Sequence, residues 1–481
     1  MEYPFRILLP AIFLLALSAC GTFPKNPPLK HYDQAKGYRF DNLSKGAKNT
    51  DSLFVILTFF GGGTRAASFS YGVMEALRDI EIEWKGQKKR LLDEVDIISS
   101  VSGGSFPAAY YGLHGDGLFS GAFEREFLKK NIEKELFNRA ISPANWFKLA
   151  GSSFGRSDLA ADYYNEKIVE GATYADLISK GTRPLLMVNA TDMSAGEQFP
   201  FIQDQFDLIC SDLSSLPLAR AVASSSAFPG LLTPLTYQNY AGGCSYQQPK
   251  WVELAEKNDR RSAPERANLA ERMKSYYQPQ PWATRKDFIH LVDGGVSDNI
   301  GLRGILFALQ SGDSPYSIQT LINRKEIEKL LIIVVNSATE REAKRDSSKS
   351  VPDLVDVLTT AAMIPLDRYS FDTVDRGRDI AKKYNQSART RKDCEKLMQE
   401  VCPKATLPGG DLYPVDVYLS HITFDYIEDP KTRFEYRNLP TTFELPGDTV
   451  DALRKMGGII LKQDPDFKRF MGNLNCCAPP R

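Results

Sequence analysis

Five apolar runs recur along the chain without the alternation of a half-buried strand: "SLFVILTFF" (52–60), "VDIISSV" (95–101), "PLLMVNATDM" (184–193), "FIHLVDGG" (288–295) and "KLLIIVVNS" (329–337). Short, unbroken and rich in β-branched residues, they predict strands buried on both faces. "VDVYLSHITFDYI" (415–427) predicts a late strand. Between the runs lie helical stretches, such as Ala66 to Leu77 and the segment after Gly104. Strands alternating with helices predict an α/β fold, a mostly parallel central sheet flanked by helices.

Two segments interrupt this rhythm. "QQPKWVELAEKNDRRSAPERANLAERMKSYYQPQPW" (247–282) is charged and then aromatic, and reads as an inserted helical segment within 240–287. Residues 352–404 read as amphipathic helices, "RTRKDCEK" being a solvated charge run, and 448–475 as closing helices. No internal repeat is visible. The pattern predicts a core over 51–340 and a C-terminal extension, 341–481, packed on it.

The N-terminus has a different character. "MEYPFRILLPAIFLLALSAC" carries Arg6 ahead of 11 apolar residues, Ile7 to Leu17. That run is too short for a ~30 Å hydrocarbon core, which needs about 20 residues, and has the form of an export signal, 1–19. Leu17-Ser18-Ala19-Cys20 resembles the bacterial lipoprotein box, in which the cysteine is lipidated. Gly21 in place of Asp then points to the outer membrane. Residues 20–50, polar and Pro-rich, read as a lipidated tether.

Composition narrows the function. Lys plus Arg and Asp plus Glu both number 60, so the basic excess that phosphate backbones demand is missing and nucleic acid is not the partner. Of seven cysteines, six remain besides Cys20: Cys210, Cys244, Cys394, Cys402, Cys476 and Cys477. An even number in an oxidising compartment suggests disulfides, with Cys394 and Cys402 the favoured local pair. No Cys-x-x-Cys or His-x-x-x-His spacing supports a metal site, and no organic cofactor is implied.

Three glycine-flanked segments carry candidate chemistry. In "IISSVSGGSFPAAYYG" (98–113) a buried strand meets a helix at Ser102. This corner is the edge at which open α/β sheets hold ligands. Ser100-Val101-Ser102-Gly103-Gly104 has the shape of a nucleophile elbow, with Ser100 where the first glycine usually stands. In "FFGGGTRAASFSYGVMEAL" (59–77), Gly61, Gly62 and Gly63 expose backbone N–H groups at a helix N-terminus, a site for a negative oxygen. Arg65 would hold that loop or attract an anionic head group. In "HLVDGGVSDNIGL" (290–302), Asp293 ends a strand before paired glycines and is placed to activate Ser102 as a base.

Taken together and in this order, the segments resemble the patatin-like phospholipase family over roughly residues 52–340. The resemblance implies a patatin-like three-layer fold and a Ser–Asp dyad in place of a triad. Ser102 would be the nucleophile, Asp293 the base, and Gly61, Gly62 and Gly63 the oxyanion loop supported by Arg65. "ARAVASSSAFPGLLTP" (219–234) resembles a family segment near the site, with Ser224 to Phe228 lining it. Phe60, Ala66 and Ser100 depart from the family pattern without removing a reacting group.

The expected activity is hydrolysis of carboxylic esters in membrane phospholipid or lysophospholipid. A lipid anchor would hold the enzyme at the membrane, and Trp251, Tyr276, Tyr277 and Trp282 of the insertion suit either its interface or a solvated helical hairpin. A histidine triad is the second reading. His31 lies in the tether, His114 about 18 Å along a helix from Ser102, and His290 on the strand face opposite Asp293. His421 alone survives, for a triad esterase or thioesterase. A non-catalytic lipid-binding lipoprotein is the third reading.

Overall fold

The computed structural model of the chain describes residues 24–151, 153–279, 281–312, 318–339, 349–351, 354–404 and 415–475. The candidate export signal, Cys20, Cys476 and Cys477 lie outside the described residues.

One eight-stranded sheet organises the fold. Its strands are β1 (Leu53–Phe59), β2 (Val95–Val101), β3 (Leu185–Asp192), β4 (Glu197–Pro200), β5 (Leu235–Gln238), β6 (Phe288–Asp293), β7 (Lys329–Asn336) and β8 (Asp416–Thr423). Their order is β8-β7-β1-β2-β3-β6-β5, with β4 paired to β3. Every residue of β1, β2, β3 and β7 is buried, which is why their sequences are unbroken apolar runs rather than alternating ones. β8, β7, β1, β2 and β3 are parallel.

The helices that matter here are α1 (Gly63–Asp79), α2 (Ser105–His114), α3 (Leu218–Ser225), α4 (Lys250–Asn258), α5 (Pro264–Tyr277), α6 (Gly295–Asp298), α7 (Arg303–Gln310), α8 (Leu354–Val401) and α9 (Gly447–Gln463). The strand 288–295 departs from the parallel expectation. β6 runs antiparallel to β3, pairing only Leu291, Val292 and Asp293 with Asp192, Thr191 and Ala190. The cause is the insertion. β5 and β6 form an antiparallel pair, so α4 and α5 are an excursion from one long hairpin, and the chain re-enters the sheet from its carboxyl edge.

The extension is part of the same body. It contributes the edge strand β8, and α9 crosses α1 at close range. A Cβ on Gly72 would fall 2.0 Å from the Arg454 carbonyl oxygen, and one on Gly457 2.8 Å from that of Phe69. Small residues on both helices let the backbones touch.

Several expectations are corrected. Residues 24–50 are not a free tether: Tyr38 and Phe40 are buried, and the Leu186 amide donates to the Tyr38 hydroxyl at 2.8 Å. Arg39, itself buried, forms ion pairs with the half-buried Asp204 (2.7 Å) and the buried Asp207 (2.5 Å). Cys394 and Cys402 are exposed and free. α8 separates them by about 12 Å of helix rise, beyond disulfide reach, and the described disulfide joins Cys210 to Cys244, with Cα atoms 5.5 Å apart. In the insertion, Trp251 and Tyr276 are buried and Tyr277 half-buried. They pack the hairpin onto the core, and only Trp282, 84 % exposed, faces outward. No described helix is long and apolar enough to cross a membrane.

Candidate active site

β2 ends at Val101 and the chain reverses at once into α2. Ser102 takes a left-handed φ of 49°, a conformation costing a non-glycine residue roughly 1–2 kcal/mol. Its neighbours explain how the turn fits. A Cβ on Gly103 would lie 2.1 Å from the Gly63 carbonyl oxygen, and one on Gly104 2.7 Å from Phe59 Cβ. The elbow is pinned from below, where the Ser102 amide donates to Ser225 Oγ at 2.8 Å. That hydroxyl donates onward to the Asn189 carbonyl at 2.7 Å. Ser100 is an ordinary buried strand residue, level with Phe59 and Val188, so the elbow does not require glycine there.

The sheet brings Asp293 to the same place. Val101 is level with Asn189 and Asp293 with Ala190. Ser102, Ala190 and Asp293 therefore share one rung, although β6 approaches in the opposite direction to β2. The Gly295 amide donates to Asp293 Oδ1 at 2.7 Å, and the Asp293 amide donates to the Ala227 carbonyl at 3.0 Å. Burial pushes the Asp293 carboxyl up to about 6, opposed by the Gly295 amide and by a side-chain hydrogen bond from Ser102. An elevated but still ionisable carboxylate in the same cavity as a hydroxyl is the state a general base needs near neutral pH.

The third group is the bend after β1. Its Gly61 amide donates to the Asn299 carbonyl at 3.0 Å, and Asn299 Oδ1 fills the space a Cβ on Gly61 or Gly295 would need, at 2.4 and 2.6 Å. Gly62 and Gly63 adopt φ values of 141° and 60°. Their amides have no hydrogen-bond acceptor among the described residues, and they point from the N-terminus of α1. Such unpartnered donors suit an oxyanion.

Arg65 lines the same cavity and is engaged by the backbone around it. It is fully buried, its Nε donating to the Ser337 carbonyl and its Nη1 to the Leu439 carbonyl and Thr441 Oγ1, all at 2.9 Å. Burial lowers its pKa to about 10, and Asp367 opposes the shift. Of the two roles considered for it, bracing the loop is the one the contacts support. The Thr64 amide donates to the Thr442 carbonyl at 2.8 Å. The same oxygen would lie 2.1 Å from a Cβ on Gly63.

These groups line a cavity of about 120 Å³, walled by Gly61–Gly63, Ser102, Asp293 and Phe228 on one side and Thr441, Thr442 and Phe443 on the other. Of the segment 224–228, Ser226 and Phe228 line it. Ser225 braces the elbow, and Ser224 turns away to the Tyr237 hydroxyl at 2.8 Å. Among the described residues, no three His, Cys, Asp or Glu side chains converge to hold a metal ion.

His421 is not part of this group. Its position, level with Val334 of β7, puts it three strands from β2, about 14 Å away at ~4.8 Å per strand. Its Nε2 is engaged with Asn336 Nδ2 at 3.0 Å, and burial pushes its pKa down to about 3. His290 is paired with Thr236 Oγ1 at 3.1 Å.

Sequence reasoning missed Asn299, although it stands in a segment singled out for another residue, and it gave Ser225 a place in the lining rather than beneath the elbow. It missed the strap 439–443 altogether. Two of the strap's contacts are made by backbone carbonyls, which leave no signature in residue type.

Residues 57–306 match the family model described as patatin-like phospholipase. The chain belongs to the patatin-like phospholipase family. It is thus a member of a serine hydrolase family. No curated protein is significantly similar to it in sequence. Among solved structures it is similar to human GIVD cytosolic phospholipase A2, at 13 % identity and a TM-score of 0.40, covering 88 % of this chain and 60 % of that one. The complex of the human protein with methyl gamma-linolenyl fluorophosphonate gives 12 % identity, coverage of 88 % and 59 %, and a TM-score of 0.42. VipD from Legionella pneumophila gives 11 %, 84 % and 67 %, and 0.27. The chain thus spans about 60 % of the length of the human protein.

Within this patatin-like chain the three departures from the family pattern are packing changes. Phe60 is a wall of the cavity. Ala66 lies in α1, its Cβ 3.5 Å from where a Cβ on Gly62 would stand. Ser100 is spent on the strand.

Proposed function

We propose that the protein is a lipid acyl hydrolase that cleaves carboxylic esters of membrane phospholipid or lysophospholipid through a Ser102–Asp293 dyad. The observation that carries this reading is a strained serine and a buried carboxylate lining one cavity, beside two amides with no acceptor among the described residues.

In this mechanism Asp293 takes the Ser102 proton as Oγ attacks the ester carbonyl carbon. The carbonyl oxygen becomes an oxyanion held by the Gly62 and Gly63 amides. Collapse breaks the ester C–O bond, and Asp293 returns the proton to the departing alkoxide, leaving an acyl-serine. Water, deprotonated by Asp293, then attacks that ester, and the second collapse frees the fatty acid and restores Ser102. The aspartate needs no histidine between itself and the serine, because the two residues share one rung of the sheet and line one cavity.

The lipoprotein-type segment ending at Cys20 supports an enzyme held at the bacterial envelope, in the outer membrane, by its own acyl chains. Radiolabelled palmitate should enter the protein and fail to enter a Cys20→Ala variant.

The activity is tested by analysing lipid products from the purified protein beside Ser102→Ala. Wild type should release free fatty acid from phospholipid vesicles and react with a fluorophosphonate probe, and Ser102→Ala should do neither. A Ser102→Ala variant that hydrolyses p-nitrophenyl esters at the wild-type rate would end the proposal. Wild type that neither hydrolyses esters nor takes up the probe would leave a lipid-binding protein. His421→Ala should retain activity.

A further inference from the structure

A second cavity, of about 550 Å³, opens behind the candidate active site, between β3, β4 and α7 of the core and α5 of the insertion. Its floor is apolar, formed by Met187, Leu269, Met273 and Phe307. It shares Met187, Gln205, Met273 and Gly304 with a neighbouring cavity of about 620 Å³ beneath the same insertion. Volumes of 300–1,000 Å³ with an apolar lining and a few polar groups are those of ligand sites.

The polar groups at its mouth are unbalanced. Arg272 pairs with Glu197, and Arg376 with Glu265. Arg303 remains, with no carboxylate within ion-pair distance among the described residues. Its Nη1 donates to the Ser297 carbonyl at 3.3 Å. A second donor stands in the same wall: Gln198 Nε2 is buried and has no acceptor among the described residues. Both residues line this cavity, as does Gly304. A Cβ there would lie 3.0 Å from Gln198 Oε1 and 3.9 Å from Met187 Cε. A buried amide donor without an acceptor is costly, and an arginine outside any close ion pair, its charge felt by Asp298 and Glu197 and its guanidinium 5.8 Å from the Tyr369 ring centroid, can still take a carboxylate or phosphate.

We propose that this cavity binds a single-chain anionic amphiphile. The anionic head sits between the Gln198 amide and the Arg303 guanidinium, and the chain lies along Met187, Leu269, Met273 and Phe307. A fatty carboxylate and the phosphate of a lysolipid share this chemistry. The site is distinct from the Ser102 cavity, with the single turn α6 between them. Gly295, Val296 and Asn299 face Ser102, while Ser297 and Arg303 face the second cavity.

The test is calorimetric titration of Ser102→Ala protein with dodecanoate and with dodecyl phosphate, each below its micelle concentration. Dodecyltrimethylammonium is the cationic counterpart. At least one anion should bind at a single site, and the tighter of the two identifies the head group. Arg303→Gln and Gln198→Leu should each weaken binding about tenfold or more, the effect of losing a charge-assisted hydrogen bond. Leu269→Trp should abolish binding by filling the floor, and Arg303→Lys should retain most of it. The proposal is overturned if neither anion saturates, if affinity is unchanged in both Arg303→Gln and Gln198→Leu, or if the ammonium binds as tightly as the anions. Ser102→Ala carries no nucleophile, so this result stands apart from the fate of the proposed reaction.

Discussion

The candidate active-site cavity has two walls of different origin. One, formed by Gly61–Gly63, Ser102 and Asp293, comes from within the span that matches the family model and carries every group proposed to react. The other, Thr441 to Phe443, comes from the C-terminal extension. It supplies the Leu439 carbonyl and Thr441 Oγ1 to Arg65, and the Thr442 carbonyl to the Thr64 amide. Chemistry on the first wall depends on side-chain identity at two positions. Geometry on the second depends mostly on where a backbone passes. Changes on the first wall should therefore act on rate, and changes on the second mostly on stability.

The sharpest separation comes from Asp293→Asn. The amide keeps the shape and cannot accept the Ser102 proton, so kcat should fall by 10²–10⁴, the usual worth of a general base. Burial already opposes charge at Asp293, so a neutral amide there should not lower the melting temperature. Single-turnover ester hydrolysis and a thermal melt check both halves. A loss below tenfold would remove Asp293 from the mechanism.

Gly63→Ala strikes where the walls touch. The added methyl would sit 2.1 Å from the Thr442 carbonyl oxygen, forcing the bend and the strap apart and turning the Gly62 and Gly63 amides off the oxyanion. A lost oxyanion donor costs about 10²–10³ in rate, and the rate of fluorophosphonate labelling should fall with kcat. Labelling within threefold of wild type would mean that these amides are not the donors.

Protonation provides a milder test. With the Asp293 carboxyl pushed up to about 6 by burial, the base is lost as pH falls through that value. Below it, kcat/KM should drop about tenfold per pH unit, with an apparent pKa near 6. A profile flat from pH 5 to 8 would contradict an aspartate base in this setting.

The contrast between the walls also explains what could be read from the chain. Buried strands announced themselves because a strand covered on both faces must be apolar throughout, and Ser102, Asp293 and the three glycines did so because tight turns at a sheet edge restrict residue type. The direction of β6 was not legible: a strand of the same apolar character pairs either way, and only the hairpin path through the insertion decides. The cysteine pairing went wrong because closeness in sequence is not closeness in space. Cys394 and Cys402 are stretched apart by α8, whereas Cys210 and Cys244 are brought together by the fold. Aromatic residues of the insertion looked like an interface because composition does not say which face is covered, and Trp251 turned out to be core.

Thr441→Val is the smallest of these perturbations and the one that isolates the strap. Valine matches threonine in shape and removes one acceptor from Arg65 Nη1, leaving the carbonyls of Ser337 and Leu439 in place. Because Thr441 is itself exposed, water can reach the vacated position, and the loss should be ~1 kcal/mol, near the net worth of one hydrogen bond. That should lower the melting temperature by a few degrees at most. The Gly62 and Gly63 amides are still held by the rest of the bend, so kcat should change by less than about threefold, with the acid pKa of the pH profile unmoved. If kcat instead fell a hundredfold with the melting temperature unchanged, the strap would belong with the reacting wall, and the division between a chemical wall and a supporting one would fail.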